Sequence, residues 1–463
     1  MVDGSDSPQA PEKAATRRAG SRSGSERGRM PLDVEEALGL REAIVEGPPI
    51  LALRRTRSSG KDPGPPPDGG VQAWTQAWVG HLVVFQVWGF INSYGVFQTY
   101  YVSALGHQPS DISWIGSVQI FLLFFIGTFS GRMTDAGYFR IIFGVGTFLL
   151  VLGVFLTSFC TKYWQVFLAQ GVCTGLGNGL MFTPAVTVVS TYFLKKRSLA
   201  ISITACGTAT GGLVFPAMAR QLLPRIGFPW TVRALGFVIL GVSVVTNTLI
   251  RPRVRARKTG PMVEWAAFGE LPYLLFAIGM FLTFWALYFA FYYIGSFARD
   301  VIHLSQDDAI SLLLILNGSG FAGRLVPAFL ADRYFGPLNM QIPMVFLSGV
   351  MMFAWIGVHG HASLIVFAIF YGMFASAIQG LLPATLSSLT GDVRKAGVRM
   401  GMVFSVLSFA SLTGPPIAGA LLAQQHGGYL YAQAFSGAVM VAGALTLIAA
   451  RISHTGLHLR KRM

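Results

Sequence analysis

The chain has 463 residues, of which 53% are hydrophobic and only 12% charged, with a mean hydropathy of +0.56. The length alone would allow two or three soluble domains, but this balance excludes them and indicates a polytopic membrane protein. The net charge of +15 does not require nucleic acid, because the 35 Lys and Arg residues cluster between apolar runs, the pattern of the positive-inside rule.

Residues 1–70 are rich in Ser, Gly, Pro and Arg and hold no apolar run of signal-peptide length, so a disordered cytosolic tail is expected. Val34 to Val45 has weak amphipathic character, and Ser21, Ser23, Ser58 and Ser59 are candidate phosphorylation sites beside basic residues that could touch anionic lipid. Pro63 to Gly70 refuses helix and closes the tail.

Twelve apolar spans follow, at about 74–102, 111–131, 140–160, 164–192, 198–222, 228–250, 268–297, 307–331, 338–358, 361–389, 397–423 and 428–452. Eleven Lys and Arg residues lie in the tail, and eighteen more at alternate connections and the C-terminus, which places both termini in the cytosol. The expected fold is an all-α polytopic membrane protein of two six-helix halves. An N-terminal half would occupy 71–250, a basic cytosolic linker 251–267, a C-terminal half 268–452 and a basic cytosolic tail 453–463. Cys160, Cys173 and Cys206 sit in apolar runs and suggest buried small side chains rather than a disulfide or metal framework.

The chain resembles itself at an offset of nearly two hundred residues. Asp135 in GRMTDAG answers Asp332 in LADRYFG, and Asn178 before Pro184 answers Gln379 before Pro383. TGGLVFP, ending at Pro216, answers TGPPIAG around Pro415 and Pro416. That period is too long for a solenoid and suits duplication of a six-helix unit.

Within the eighth span, Arg324 is a cation inside a segment otherwise apolar enough to cross a bilayer. A charge at membrane depth costs between about 2.5 and 17 kcal/mol and is kept for a pathway, a partner or a ligand. No acid falls at membrane depth: eleven of the twenty lie in the tail and nine at expected loops and helix ends. An unpaired arginine in a wet cavity is a candidate receptor for an anion. The alternative is that Arg324, about 10 Å from the end of its span, snorkels or bonds to backbone carbonyls. Neutral groups that could line the same cavity are Asn92, Gln119, Asn178, Asn317 and Gln379, with Trp88, Tyr94, Trp285, Tyr288, Tyr292 and Tyr371. His81 lies well within a span and is a candidate titrating group or structural donor. The run GTATGG at 207–212 lacks a preceding strand and a Lys-Ser/Thr, so it indicates close helix packing rather than a nucleotide loop.

Several motifs carry a resemblance. Gly131, Met133, Asp135 and Arg140 resemble a degenerate G-x-L-A-D-x-x-G-R-R loop of the major facilitator superfamily, with Asp332 and Arg333 as its counterpart in the second half. Asp68-Gly69-Gly70-x-x-Ala73-Trp74 and Tyr192-Phe193-x-x-Lys196-Arg197-x-x-Ala200-x-Ser202 resemble two signatures of the monocarboxylate porter family, especially its fungal members. The resemblance covers about residues 68 to 452. It implies the twelve-helix facilitator fold and an acid–base latch of Asp135, Arg140, Asp332 and Arg333. It also places Arg324, within Gly323-Arg324-x-x-Pro327, on the arginine that holds a substrate carboxylate in that family. Two positions depart from the pattern: Asn92 stands where proton-linked members carry a lysine, and Gly320 where they carry an aspartate.

The expected function is secondary active transport of a small organic acid or secondary metabolite by alternating access, with export as the leading direction. Arg324, Asn92, Asn317, Asn178, Gln379 and Tyr288 are the candidate substrate-binding residues. Uptake of a monocarboxylate or vitamin-like nutrient by proton symport, or a non-transporting nutrient sensor, are the alternatives. No catalytic set, cofactor, metal or nucleotide is expected, and the only partners are the bilayer and an organic anion. The cell membrane is the expected location, with a vacuolar or other internal membrane as the alternative.

Overall fold

A computed structural model describes residues 66–107, 109–253, 261–425 and 427–456. Residues 1–65 of the expected tail, including Val34 to Val45 and the four serines, and the basic linker from Val254 to Lys258 lie outside the described residues. Every regular element among the described residues is helical. Ten helices among the described residues are long and apolar enough to cross a membrane.

One of the ten, Arg197–Leu249, has 53 residues, which at ~1.5 Å per residue is more than twice the ~30 Å of a bilayer core. It is broken at Gly227, whose φ of 72° and ψ of 170° are non-helical, between Pro224 and Pro229. Two passes therefore replace one, and the expected spans 198–222 and 228–250 meet at a glycine. The helices Gly70–Asn92 and Tyr94–Leu105, parted at Ser93, make a further pass that is less apolar because it carries Gln76, His81, Gln86 and Asn92. With these two adjustments the helices agree with the twelve spans read from the sequence. Phe148, Phe237 and Leu445 stand out from the helix surface, each about 60% exposed, as lipid-facing side chains do.

Small residues set the tightest crossing. A Cβ on Gly131 would lie 2.0 Å from the Gly397 carbonyl oxygen, and one on Gly401 would lie 2.0 Å from that of Gly127. Glycines four apart on the Gly127–Asp135 and Ala396–Gln424 helices thus mesh backbone to backbone, the small-xxx-small arrangement of membrane helices. The GTATGG run behaves likewise against the first helix: a Cβ on Gly207 would lie 2.3 Å from the His81 carbonyl oxygen, and one on Gly211 2.3 Å from that of Phe85.

Candidate functional site

Arg324 lies on the Gln306–Leu330 helix and is 3% exposed. Its Nη1 donates to the Gly320 carbonyl one turn earlier at 3.3 Å, while its Nε has no hydrogen-bond partner among the described residues. No carboxylate pairs with it there either, so a buried guanidinium rests on a single long backbone contact. That state is costly unless a further acceptor arrives. A Cβ on Gly320 would lie 2.7 Å from Nη1 and 2.4 Å from Ser376 Oγ, so the glycine leaves the space that the guanidinium occupies.

Arg324 borders a cavity of ≈ 40 Å³ together with Tyr288, Gln379, Trp88, Phe124, Phe182, Phe284 and Phe404. Tyr288 is a second polar group with an unmet hydrogen-bonding atom on this lining: its hydroxyl also lacks a partner among the described residues. Three of the six candidate binding residues, Arg324, Tyr288 and Gln379, are thus brought together.

The other three are placed elsewhere. Asn92 donates to the Thr208 carbonyl at 3.5 Å and joins the first helix to the fifth. Asn317 donates to the Leu313 carbonyl of its own helix at 2.9 Å. Asn178 is fully buried, with neither amide atom partnered among the described residues, and does not border the cavity. Helix rotation, which packing sets, carries these amides away. His81 has both ring nitrogens engaged, Nδ1 with the Ile203 carbonyl at 2.9 Å and Nε2 with Thr210 Oγ1 at 3.1 Å. Of the aromatics expected at the cavity, Trp88 and Tyr288 reach it. Tyr371 donates instead to the Leu287 carbonyl at 2.7 Å, Tyr94 bonds the Ile112 carbonyl, and Trp285 contacts Phe435. The four phenylalanines were not singled out in the sequence, since phenylalanine carries no polar signal in an apolar span.

At one end of the bundle the two candidate acids adopt matching positions. Asp135 accepts from the backbone N–H groups of Gly397 at 3.1 Å and Val398 at 2.8 Å. Asp332 accepts from those of Ser198 at 3.0 Å and Leu199 at 2.8 Å. Each acid occupies the first turn of a helix in the opposite set, where unpaired N–H groups and the helix dipole favour an anion. The bases do not join this latch. Arg140 donates to the Asn247 carbonyl at 2.6 Å, and Arg333 lies 6.0 Å from the centre of the Tyr334 ring. Helix termini therefore replace Arg140 and Arg333 as partners of the acids.

Two further contacts brace this end. Asp68 accepts from Leu194 N at 2.5 Å and Lys195 N at 2.7 Å, and Trp74 packs on Phe193 at 5.0 Å, so the two porter-like signatures meet. Glu264, 7% exposed, receives Lys395 and, at 3.4 Å, Arg399, which also donates to Glu270 at 2.8 Å. Burial raises the Glu264 pKa, but the hydrogen bonds and charges of Lys395 and Arg399 outweigh it and leave the carboxyl below its ordinary range.

A bundle of bilayer-length helices, closed at one end and built around a central cavity with a buried cation, defines a membrane carrier. The chain belongs to the Major Facilitator Superfamily, whose family profile matches residues 77–390. It is 48% identical over 395 residues to an MFS-type transporter of Gibberella zeae, covering 85% of this chain and 89% of that one. It is 38% identical over 397 residues to the aspyridones efflux protein apdF of Emericella nidulans, covering 85% and 80%. Among solved structures, the superfamily transporter FucP in its outward conformation superposes with a TM-score of 0.65 at 15% identity, over 82% of this chain and 99% of that one. The chain is thus a multi-pass membrane transporter.

Proposed function

We propose that this transporter exports a small organic anion, a secondary-metabolite acid, and that Arg324 receives its ionised group. The observation that carries this reading is the buried, unpaired guanidinium at the cavity. Its planar fork can donate two parallel hydrogen bonds to one carboxylate. Tyr288 and Gln379 would complete the polar contacts, with Asn178 reached only if the cavity widens. The efflux direction draws on the likeness to a protein named for aspyridones efflux. Placement in the monocarboxylate porter family rests on the Asp68 and Tyr192 signatures and their mutual packing.

In this reading 71–250 and 268–452 are the two rocking halves, and the end carrying Asp135 and Asp332 faces the cytosol of a fungal cell, at its plasma membrane. The two acids hold that end shut, and Arg140 and Arg333 serve it as surface cations. A cavity of ≈ 40 Å³ is far below the ~300–1,000 Å³ of ordinary ligand sites, so substrate enters only as the halves part.

The test is transport of acids into reconstituted vesicles by the full chain. Arg324→Gln is expected to lose acid-dependent flux, with Arg324→Lys retaining part of it. Equal, wild-type flux through both variants would remove the arginine from substrate binding. Comparison of metabolites inside and outside cells with and without the gene settles direction: export predicts an acid retained within the deletion strain.

A further inference from the structure

Six aromatic rings border the space in front of Arg324: Trp88, Phe124 and Phe182 from one set of helices, Phe284, Tyr288 and Phe404 from the other. Their contacts cross between the sets, with Phe124 5.5 Å from Phe404 and 6.3 Å from Phe284, and Phe182 5.5 Å from Phe404. None of these rings is stacked on another. Interplanar angles within the cage run from 40° for Phe124 and Phe404 to 85° for Phe124 and Phe284. The cage rings meet tilted or edge to face, so no two of them fill the space with a parallel stack. The cage is also where the two sets must separate for a substrate to enter.

We infer that the cavity selects planar, conjugated acids, whose flat π-system lies among the cage rings while the ionised group meets Arg324 and Tyr288. This inference rests on the anion reading above and adds the shape of the rest of the molecule. When the cage opens, each cross-set ring contact is lost. A flat conjugated ligand restores those contacts with the same offset and edge geometry, worth a further two- to tenfold in affinity per ring pair beyond buried area. A flexible alkyl acid replaces area only and must also surrender its rotamers on binding.

The experiment measures binding of four probes to the purified full chain by calorimetry, with empty micelles as control: 2-naphthoate, decanoate and the uncharged 2-naphthalenemethanol and decanol. The wild-type protein is expected to hold 2-naphthoate about tenfold more tightly than decanoate. Phe124→Leu and Phe404→Leu keep an apolar side chain but remove the ring, and each should shrink that preference two- to tenfold while leaving decanoate nearly unchanged. Phe404→Tyr should keep it. Equal affinity for the two acids, equal weakening of both by Phe404→Leu, or no binding of either would overturn the inference. Arg324→Gln should weaken both acids alike and spare 2-naphthalenemethanol. If Arg324→Gln leaves the acids unchanged, the anion reading fails, while the ring preference is still read from 2-naphthalenemethanol against decanol.

Discussion

Arg324 and Gly320 act as a unit. The guanidinium rests on the Gly320 carbonyl because that position has no side chain, and a Cβ there would meet Nη1 at 2.7 Å. Gly320→Asp would install a carboxylate one helical turn from the cation and pair it internally. Acid flux is then expected to fall at least about tenfold, equivalent to ~1.4 kcal/mol, with Gly320→Ala losing less. Vesicle flux of the two variants side by side checks this, and an unchanged rate in Gly320→Asp would show that the substrate never needed the free guanidinium.

Glu264 carries a prediction about stability and pH. Its folded pKa lies below its unfolded value, so its contribution is complete above the ordinary carboxylate range and is lost as pH falls through the depressed folded value. Thermal stability should show no loss from this group between neutral pH and the ordinary carboxylate range. Glu264→Gln should remove about 1–3 kcal/mol at neutral pH, and the difference from wild type should vanish in strong acid. Melting curves across pH test both statements.

At the scale of elements, the latch we propose consists of acids on helix N-termini. Asp135→Asn and Asp332→Asn should each weaken closure by about 0.5–2 kcal/mol, since each keeps an acceptor oxygen but loses the charge that the dipole favours. Reaction of an introduced cysteine near Ser198 or Gly397 with an impermeant thiol reagent reads the opening. Arg140→Gln should leave that reaction unchanged, because Arg140 bonds Asn247 instead. The glycine crossing is more demanding: Gly131→Val places atoms into the Gly397 carbonyl and is expected to abolish closure at this end. Cross-linking of cysteines across the crossing would reveal it.

For the whole molecule, one end is closed by two acids and a mesh of glycines, and the centre is filled by rings. Alternating access requires both caps to release together. The double variant Asp135→Asn, Asp332→Asn should therefore shift the population toward the state open at this end by about the sum of the single effects, because the two caps share no side chain. Thiol labelling of the double variant well beyond the summed single effects would show the caps to be coupled.

The sequence by itself determined the lipid environment, the set of spans and the intramembrane cation Arg324, because the cost of placing a segment or a charge in hydrocarbon is local to that segment. It also held the acids at 135 and 332, since their spacing repeats. It did not determine their partners: a carboxylate beside a basic residue reads as an ion pair, and only the folded bundle brings the N-termini at Ser198 and Gly397 within reach. It likewise could not say which neutral amides face the cavity. Gln379 does, while Asn92, Asn317 and Asn178 do not border it, because the rotation of each helix about its axis follows from packing against its neighbours. The phenylalanine cage was equally hidden, since an apolar ring costs the same facing lipid or facing substrate until the tertiary structure chooses between them.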